Sequence, residues 1–337
     1  MVPSTEEADE TINLCAHCRN SATQLCNGCH TAPDAEGGRV ESVWYCSTKC
    51  QKADWRFHKY DCKKAQARRS SVRAAETAKL AFFRLYKQIF DLDVLGVEAK
   101  GDTLYVREGP NDRSILNPFP SEHLKDEQDK QAAMAWMNCG CSEDYVQVLV
   151  EAMLQHVPFK VAEVLIPKVK YLRRVVVIEP NGHESDSSKL EHVIFRITIN
   201  EDEDFALDVT SAQFGFYDAV TPWPSYQQTR IETLGRIRPL KHLRDSHRLP
   251  SKDFSSKRGW DATRKALNGQ FARIFGSSAK SWQVKNGTFS AMLKLGEEAF
   301  CERQGELLDF IDERIGARMK QLQDAEDPWK EALRLEV

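Results

Sequence analysis

The stretch that decides the reading is residues 15–62, CAHCRNSATQLCNGCHTAPDAEGGRVESVWYCSTKCQKADWRFHKYDC. Seven of the ten cysteines fall in it: Cys15, Cys18, Cys26, Cys29, Cys46, Cys50 and Cys62. The others are Cys139, Cys141 and Cys301. An odd cluster of seven cannot pair fully as disulfides, and in a reducing compartment such a density of thiols points to metal. Cys15-x2-Cys18 and Cys26-x2-Cys29 are knuckles whose two sulfurs reach one ion. Cys46-x3-Cys50 and His58-x3-Cys62 are i, i+4 pairs, which project from one face of a helix. Seven thiolates and one imidazole make eight ligands, enough for two closed tetrahedral sites. Zinc suits them, being soft enough for sulfur and inert to redox. With every position filled by protein, both sites are expected to be structural. Spacing alone leaves open whether the ligands are used in sequence or interleaved. His17 and His30, beside ligands, read as exposed loop histidines.

Around the ligands stand Trp44-Tyr45-Cys46, Cys50-Gln51-Lys52-Ala53-Asp54-Trp55 and His58-Lys59. With these, residues 15–62 resemble a MYND-type zinc finger. The resemblance implies interleaving: Cys15, Cys18, Cys46 and Cys50 on one ion, Cys26, Cys29, His58 and Cys62 on the other. It also implies recognition of a short proline-containing peptide, with Gln51 and Trp55 at positions that look like part of that surface. An extended Pro-rich segment loses little entropy on binding, and an indole face packs well on proline. Trp55 serves equally well as core for so small a metal-stapled fold. A module of this size buries little core, so the metals supply its folding energy.

The whole chain has 337 residues, 47 Lys+Arg against 50 Asp+Glu, a net charge of −3, 41% hydrophobic and 29% charged residues. This is ordinary globular composition, with room for two or three domains, and it excludes a protein that is basic overall. No apolar run is long enough for a transmembrane helix, so no membrane partner is expected. The acidic start, MVPSTEEADETIN, has neither region of a signal peptide, which places the chain inside the cell, in nucleus or cytoplasm. From Lys49 to Arg73, nine Lys/Arg face only Asp54 and Asp61. No nucleic-acid recognition motif accompanies the run. It reads as a solvated helix face, an import signal or a surface for an acidic protein partner.

Beyond the finger, Val72–Phe90 carries Ala75, Ala78, Phe82, Leu85, Tyr86 and Ile89 at helical steps. Val94–Ala99 and Thr103–Arg107 around Lys100-Gly101-Asp102 read as a hairpin. EGPNDRSILNPFP, residues 108–120, reads as a loop. Helices are expected around 122–137 and 142–156. Strands follow at Val161–Ile166, Arg173–Ile178, His192–Ile199 and Phe205–Val209, the last two flanking an acidic turn. A long helix is expected over 288–322, with Leu307, Ile311, Ile315, Met319 and Leu322 on one stripe and Cys301 as a packing cysteine. The fold class is α+β: a two-zinc finger, then a mixed helix and antiparallel-sheet domain, then C-terminal helices. The expected division is 1–14 flexible N-terminus, 15–62 finger, 63–120 basic helix, hairpin and linker, 121–235 α+β domain and 236–337 helical region.

Some MYND proteins carry a methyltransferase domain around the finger. Its Asn-His-x-Cys signature is absent here, and residues 1–14 leave no room for the split arrangement, so that reading is rejected. Another constellation remains. Cys139-Gly140-Cys141-Ser142 precedes a helix, His192 opens one strand and Asp208 ends the next. A thiol at a helix N-terminus, a histidine on a strand and a carboxylate on the following strand are similar to the layout of papain-like and transglutaminase-like enzymes. Phe205–Gly215 resembles the Asp-x-Thr-x-x-Gln-Phe segment of deamidase-like members. The resemblance implies Cys141 or Cys139 as nucleophile, His192 as base and Asp208 as the group that orients it. The bland reading makes these a small buried thiol and a structural histidine. The leading function is an intracellular adaptor recognising a Pro-containing peptide, in transcriptional or developmental regulation. A Cys-His-Asp thiol hydrolase, deamidase or transferase is the alternative, and a nucleic-acid-binding regulator stands third.

Overall fold

The computed structural model describes residues 13–110, 117–200, 202–239 and 257–333. Most of the expected flexible N-terminus and much of the 108–120 loop therefore lie outside the described residues. The chain divides into two compact units, one up to Arg69 and one from Ser70 onward.

The first unit has very little regular structure ahead of its helix. Two short strands, β1 (Gln24–Leu25) and β2 (Trp44–Tyr45), pair antiparallel. Backbone bonds hold the knuckles to the second strand and the residue entering it: Ala16 N–H to Trp44 O at 2.9 Å and Cys26 N–H to Val43 O at 2.9 Å. The buried apolar cluster is Ala22, Ala32, Tyr45 and Ala65 with the sulfurs of Cys15, Cys26, Cys29 and Cys62. So small a core cannot offset the entropy of ordering the chain, and the ligand atoms sit where a larger domain would have leucines.

Helix α1 runs unbroken over Thr48–Gln88. The basic stretch and the Val72–Phe90 helix are thus one element rather than two. No glycine or proline interrupts residues 48–90, and Ala, Lys, Arg, Gln and Glu dominate the middle, all good helix formers. Up to Arg69 the helix belongs to the first unit and beyond it to the second. In the second unit Ala75, Ala78, Phe82, Leu85 and Tyr86 are buried, as their helical spacing requires.

The second unit is α+β. Strands β3 (Val94–Lys100) and β4 (Thr103–Glu108) form the hairpin, turning at Gly101 with φ +58°. After α2 (Glu127–Ala135) and α3 (Cys139–Leu154) come β5 (Phe159–Ile166), β6 (Lys168–Val169), β7 (Arg174–Ile178), β8 (Glu184–Asp186), β9 (His192–Ile199) and β10 (Glu203–Leu207). Then follow β11 (Val220–Pro222), α4 (Trp223–Arg230), β12 (Ile231–Thr233) and β13 (Ile237–Pro239). One sheet is antiparallel, in the order β11-β10-β9-β5-β13. The other, β3-β4-β7-β8, joins the hairpin to β7 by a parallel pairing. Val164, Ile166, Ile194, Ala206, Phe214, Trp223 and Tyr226 make the core beside the first sheet.

Helix α3 starts at Cys139, three residues earlier than expected, and packs against β9 and a helix over Lys257–Asn286. The expected 288–322 helix is broken. A short turn of helix, Phe289–Met292, precedes Glu297–Gln323, and Gly296 is the N-cap of the latter. On that helix Leu307, Ile311, Ile315, Met319 and Leu322 are buried, while Cys301 is exposed rather than packed. The short strand β13 falls inside the region expected to be wholly helical.

Candidate metal centre and thiol site

Each knuckle brings its sulfurs in from the N-terminal loops, and the end of β2 with the first turns of α1 brings the rest. Cys15, Cys18, Cys46 and Cys50 converge with all four sulfurs within 4.8 Å of one another; the ligand atoms of Cys26, Cys29, His58 and Cys62 do the same. The ligands are interleaved. In the first group Cys18 to Cys46 is 3.5 Å, Cys46 to Cys50 3.4 Å and Cys50 to Cys18 3.8 Å. In the second, Cys26 to Cys62 is 3.7 Å, His58 Nε2 to Cys26 3.2 Å and His58 Nε2 to Cys29 3.5 Å. A tetrahedron with Zn–S bonds of about 2.3 Å has edges of about 3.8 Å, so both cages are close to the right size.

The electrostatics argue the same way. Burial opposes ionisation of Cys15, yet backbone N–H groups of Cys18, Cys46 and His17 hold its thiol down to about 6. Cys46, hydrogen-bonded to Cys50 and Cys18, is pushed up to about 12. Sulfurs this close cannot all ionise unless a cation sits between them, and a dication is what such a donor set accommodates. Around the second cage, Gln66 Nε2–H donates to Cys62 Sγ at 3.2 Å, and Tyr45 packs edge-on to the His58 ring. Tyr45 O–H in turn donates to Asp54 Oδ2 at 2.7 Å, which anchors the first turns of α1. Such outer partners fix ligand orientation.

The MYND finger family model matches residues 15–62, the span that carries all eight ligands. Residues 15–62 are a MYND finger. Two zinc ions fit its cages, one of four cysteines and one of three cysteines with a histidine, and a MYND finger is in general a zinc-binding protein-interaction module. No curated protein and no solved structure matches the chain.

On the finger's helix, Gln51 is half-buried and Trp55 is 39% exposed, one turn apart. The Trp55 indole also meets the His58 ring edge-on at 6.3 Å, so one side of it supports a zinc ligand while the rest faces solvent. The basic run is not uniform. Lys49, Lys52, Arg56, Lys59 and Lys63 are exposed, but Arg68 and Arg69 are buried. Arg68 Nε–H donates to Pro33 O at 2.8 Å and Arg69 Nη1–H to His30 O at 2.9 Å, tying the loops after the second knuckle to α1. Arg73 is also buried, within the second unit, where it donates to the carbonyls of Leu293 and Leu295 and pairs with Glu297. Three of the nine cations are therefore structural.

In the second unit the structure assembles the other constellation. His192 opens β9 and Asp208 follows β10, the adjacent antiparallel strand; His192 Nε2 lies 2.8 Å from Asp208 Oδ2. Tyr226 O–H, on α4, donates to the same oxygen at 2.7 Å. The other oxygen accepts from Thr210 N–H at 3.1 Å and Thr210 Oγ1–H at 3.3 Å. Phe214 packs edge-on to the imidazole at 4.9 Å. His192 and Asp208 are 1% and 3% exposed. The third member is Cys139, half-buried as the first residue of α3. The side chain of Cys141 lies outside the described residues.

Burial disfavours the imidazolium, but the Asp208 carboxylate and the Cys139 thiol outweigh it and raise His192 to about 10. Burial would raise Cys139, and the imidazolium of His192 reverses this and lowers it. Asp208 is lowered in turn: against burial stand His192, the Tyr226 hydroxyl and the charge of Arg230. Reading the sequence missed Tyr226, which nothing in its helix marks out. Thr210 and Gln213 were legible as the Thr and Gln of the Asp-x-Thr-x-x-Gln-Phe segment. Gln213 Nε2–H donates to Thr210 O at 3.1 Å, and Gln213 Oε1 accepts from Met137 N–H at 3.3 Å. The segment thereby links the turn that carries Asp208 to the backbone two residues before Cys139.

Proposed function

We propose that this protein is an adaptor, acting in the nucleus or cytoplasm, whose MYND finger captures a short proline-containing peptide of another protein across Gln51 and Trp55. The supporting observation is the placement of Trp55: anchored against a zinc ligand on one side and open to solvent on the other. An indole held this way offers a rigid apolar face at little entropic cost, and a polyproline segment arrives already extended. Gln51, one turn ahead, supplies an amide for the peptide backbone, which has few internal partners of its own. Exposed Lys52, Arg56 and Lys59 on the same helix favour a peptide with acidic flanks.

The test uses zinc-loaded full-length protein and a panel of fluorescent proline-containing peptides with acidic, neutral and basic flanks. Saturable binding that Trp55→Ala weakens by about tenfold or more, with zinc content unchanged, is the expected result. Binding that ignores both Trp55→Ala and Gln51→Ala would place recognition elsewhere and overturn the reading.

A further inference from the structure

We propose that Cys139, His192 and Asp208 form a thiol active site that cleaves or transfers the acyl group of an amide. The proposal lies in the second unit and does not depend on what the finger binds.

The arrangement differs from an incidental buried histidine in three respects. The first is the division of exposure. The imidazole and the carboxylate are sealed from solvent, and Cys139 is the residue of the three that is partly open. A substrate would therefore reach the site from the side of Cys139. Residue 140, next to it, is a glycine with nothing within 4 Å of where a β-carbon would stand, which leaves room beside the thiol.

The second is the ring. Nε2 is engaged by Asp208, while Nδ1 is buried with no hydrogen-bond partner among the described residues. A buried, unsatisfied ring nitrogen is costly unless something uses it. Helix α3, which opens at Cys139, packs against β9, which opens at His192, and the charge of the thiol acts on the ring; Nδ1, which Asp208 does not engage, is the nitrogen left to exchange a proton with sulfur. Asp208, held by Tyr226 and Thr210, cannot turn away, and it fixes both the orientation and the charge of the imidazole.

The third is the helix end. The N-cap of α3 is Asn138, whose side chain makes no capping bond and turns back to Met134 O at 2.9 Å. Asn138 thus does not cap the first-turn amides through its side chain. They favour a thiolate at Cys139, and they are the donors available to a developing oxyanion.

The Cys139 thiolate attacks the carbonyl carbon, an S–C bond forms and the carbonyl π pair moves to oxygen. When the tetrahedral adduct collapses, the C–N bond breaks and the imidazolium of His192 delivers its proton to the departing nitrogen. Water, or an acceptor amine in a transfer reaction, then attacks the thioester carbonyl while His192 takes its proton; the C–S bond breaks with its pair returning to sulfur, which releases the acid or the new amide and restores the Cys139 thiolate and the His192 imidazolium. An amide is the substrate class this resting state suits: a nitrogen leaving group needs a proton, and the imidazolium already carries one. The titratable and charged groups acting on the site are Cys139 from α3, His192 from β9, Asp208 after β10, and the neutral Tyr226 phenol and Arg230 from α4.

The experiment treats zinc-loaded full-length protein with iodoacetamide at mildly acidic pH, maps the labelled cysteines by mass spectrometry, and repeats the reaction with p-nitrophenyl acetate as an acyl donor. Cys139 is expected to label about a hundredfold faster than exposed Cys301, and the ester to give a burst of one nitrophenolate per chain that Cys139→Ser abolishes. Cys141→Ser should leave both unchanged. His192→Gln should cost about a hundredfold in rate, and should also raise the pH at which the Cys139 thiolate band appears in the wild-type-minus-Cys139→Ser ultraviolet difference spectrum. Equal labelling of Cys139 and Cys301 in the folded wild type, or no burst, overturns the proposal without any variant needing to fold. A burst that survives Cys139→Ser and vanishes in Cys141→Ser overturns the assignment of the nucleophile.

Discussion

Gly28 sits against Cys62: a β-carbon at residue 28 would stand 2.8 Å from the Cys62 sulfur and 2.9 Å from Gln66 Nε2. The second cage leaves no room there for a side chain, because Cys62 already has Cys26 and Gln66 on its sulfur. Gly28→Ala must therefore move a ligand or its outer-shell donor. Zinc affinity at the cage of Cys26, Cys29, His58 and Cys62 should fall by about 10–100-fold while the all-cysteine cage keeps its ion. Metal stoichiometry during a chelator titration checks this; the expected result is a two-step release in the variant, with the first step at much lower chelator concentration than in the wild type.

The buried arginines of α1 separate structure from charge. Arg69 Nη1–H donates to the carbonyls of His30 and Asn27, and removing it takes the guanidinium from both and leaves His30 O only the Thr31 hydroxyl among the described residues. Arg69→Ala should cost about 1–3 kcal/mol in the stability of the zinc-loaded finger, read from denaturant unfolding followed by Trp fluorescence. Lys63→Ala, an exposed position on the same helix, should cost less than about 0.5 kcal/mol. If the two substitutions cost the same, Arg69 is not a staple.

The finger's dependence on metal is set by how little apolar core it has. Stripping zinc leaves closely packed thiols whose mutual repulsion nothing offsets, so residues 13–69 should lose their fold on chelation. Acid should act alike, because protonating the thiolates competes directly with the metal. Hydrogen exchange should show protection vanishing at Tyr45 and Cys62 on chelation and returning on zinc addition. Persistent protection at Tyr45 in the metal-free protein would count against it.

Much of this architecture is written locally. The eight ligands show as spacings, and the alternating apolar residues of His192–Ile199 become a strand over the same residues. What local reading loses is whatever depends on distant partners. The parallel pairing of β4 with β7 joins segments more than sixty residues apart, and no local pattern encodes it. The helix expected around 142–156 begins at Cys139 because it accepts Gly140 in its first turn, where no intrahelical donor bond is lost. Tyr226 meets Asp208 only because α4 follows β11 back across the end of β10, a consequence of the sheet order. The unbroken α1 was legible, because residues 48–90 contain no glycine or proline to interrupt it.

The Cys139–His192 pair ties stability to pH with a definite sign. His192 is raised from its ordinary value of 6.5 to about 10. Alone, such a group stabilises the fold fully below pH 6.5 and loses that contribution as pH rises toward 10. Cys139 is lowered from 9.0, so alone it stabilises above pH 9.0 and loses that contribution as pH falls through its folded value. Between the pH at which the folded Cys139 ionises and pH 9.0, the unfolded chain holds one proton on the pair, on sulfur, and the folded chain also holds one, on the imidazole. Equal proton counts mean no slope, so this pair contributes a plateau across that window. Cys139→Ser removes the compensating thiol and leaves His192 charged beside Asp208. The variant should then lose stability relative to wild type as pH rises through that window, with a limiting slope of about 1.4 kcal/mol per pH unit. Urea unfolding of both proteins at a series of pH values from about 6 to about 9 measures the difference directly, and the zinc sites and other titrating groups cancel in it. A difference that stays constant across the window would mean that the imidazole and the thiol do not share the proton.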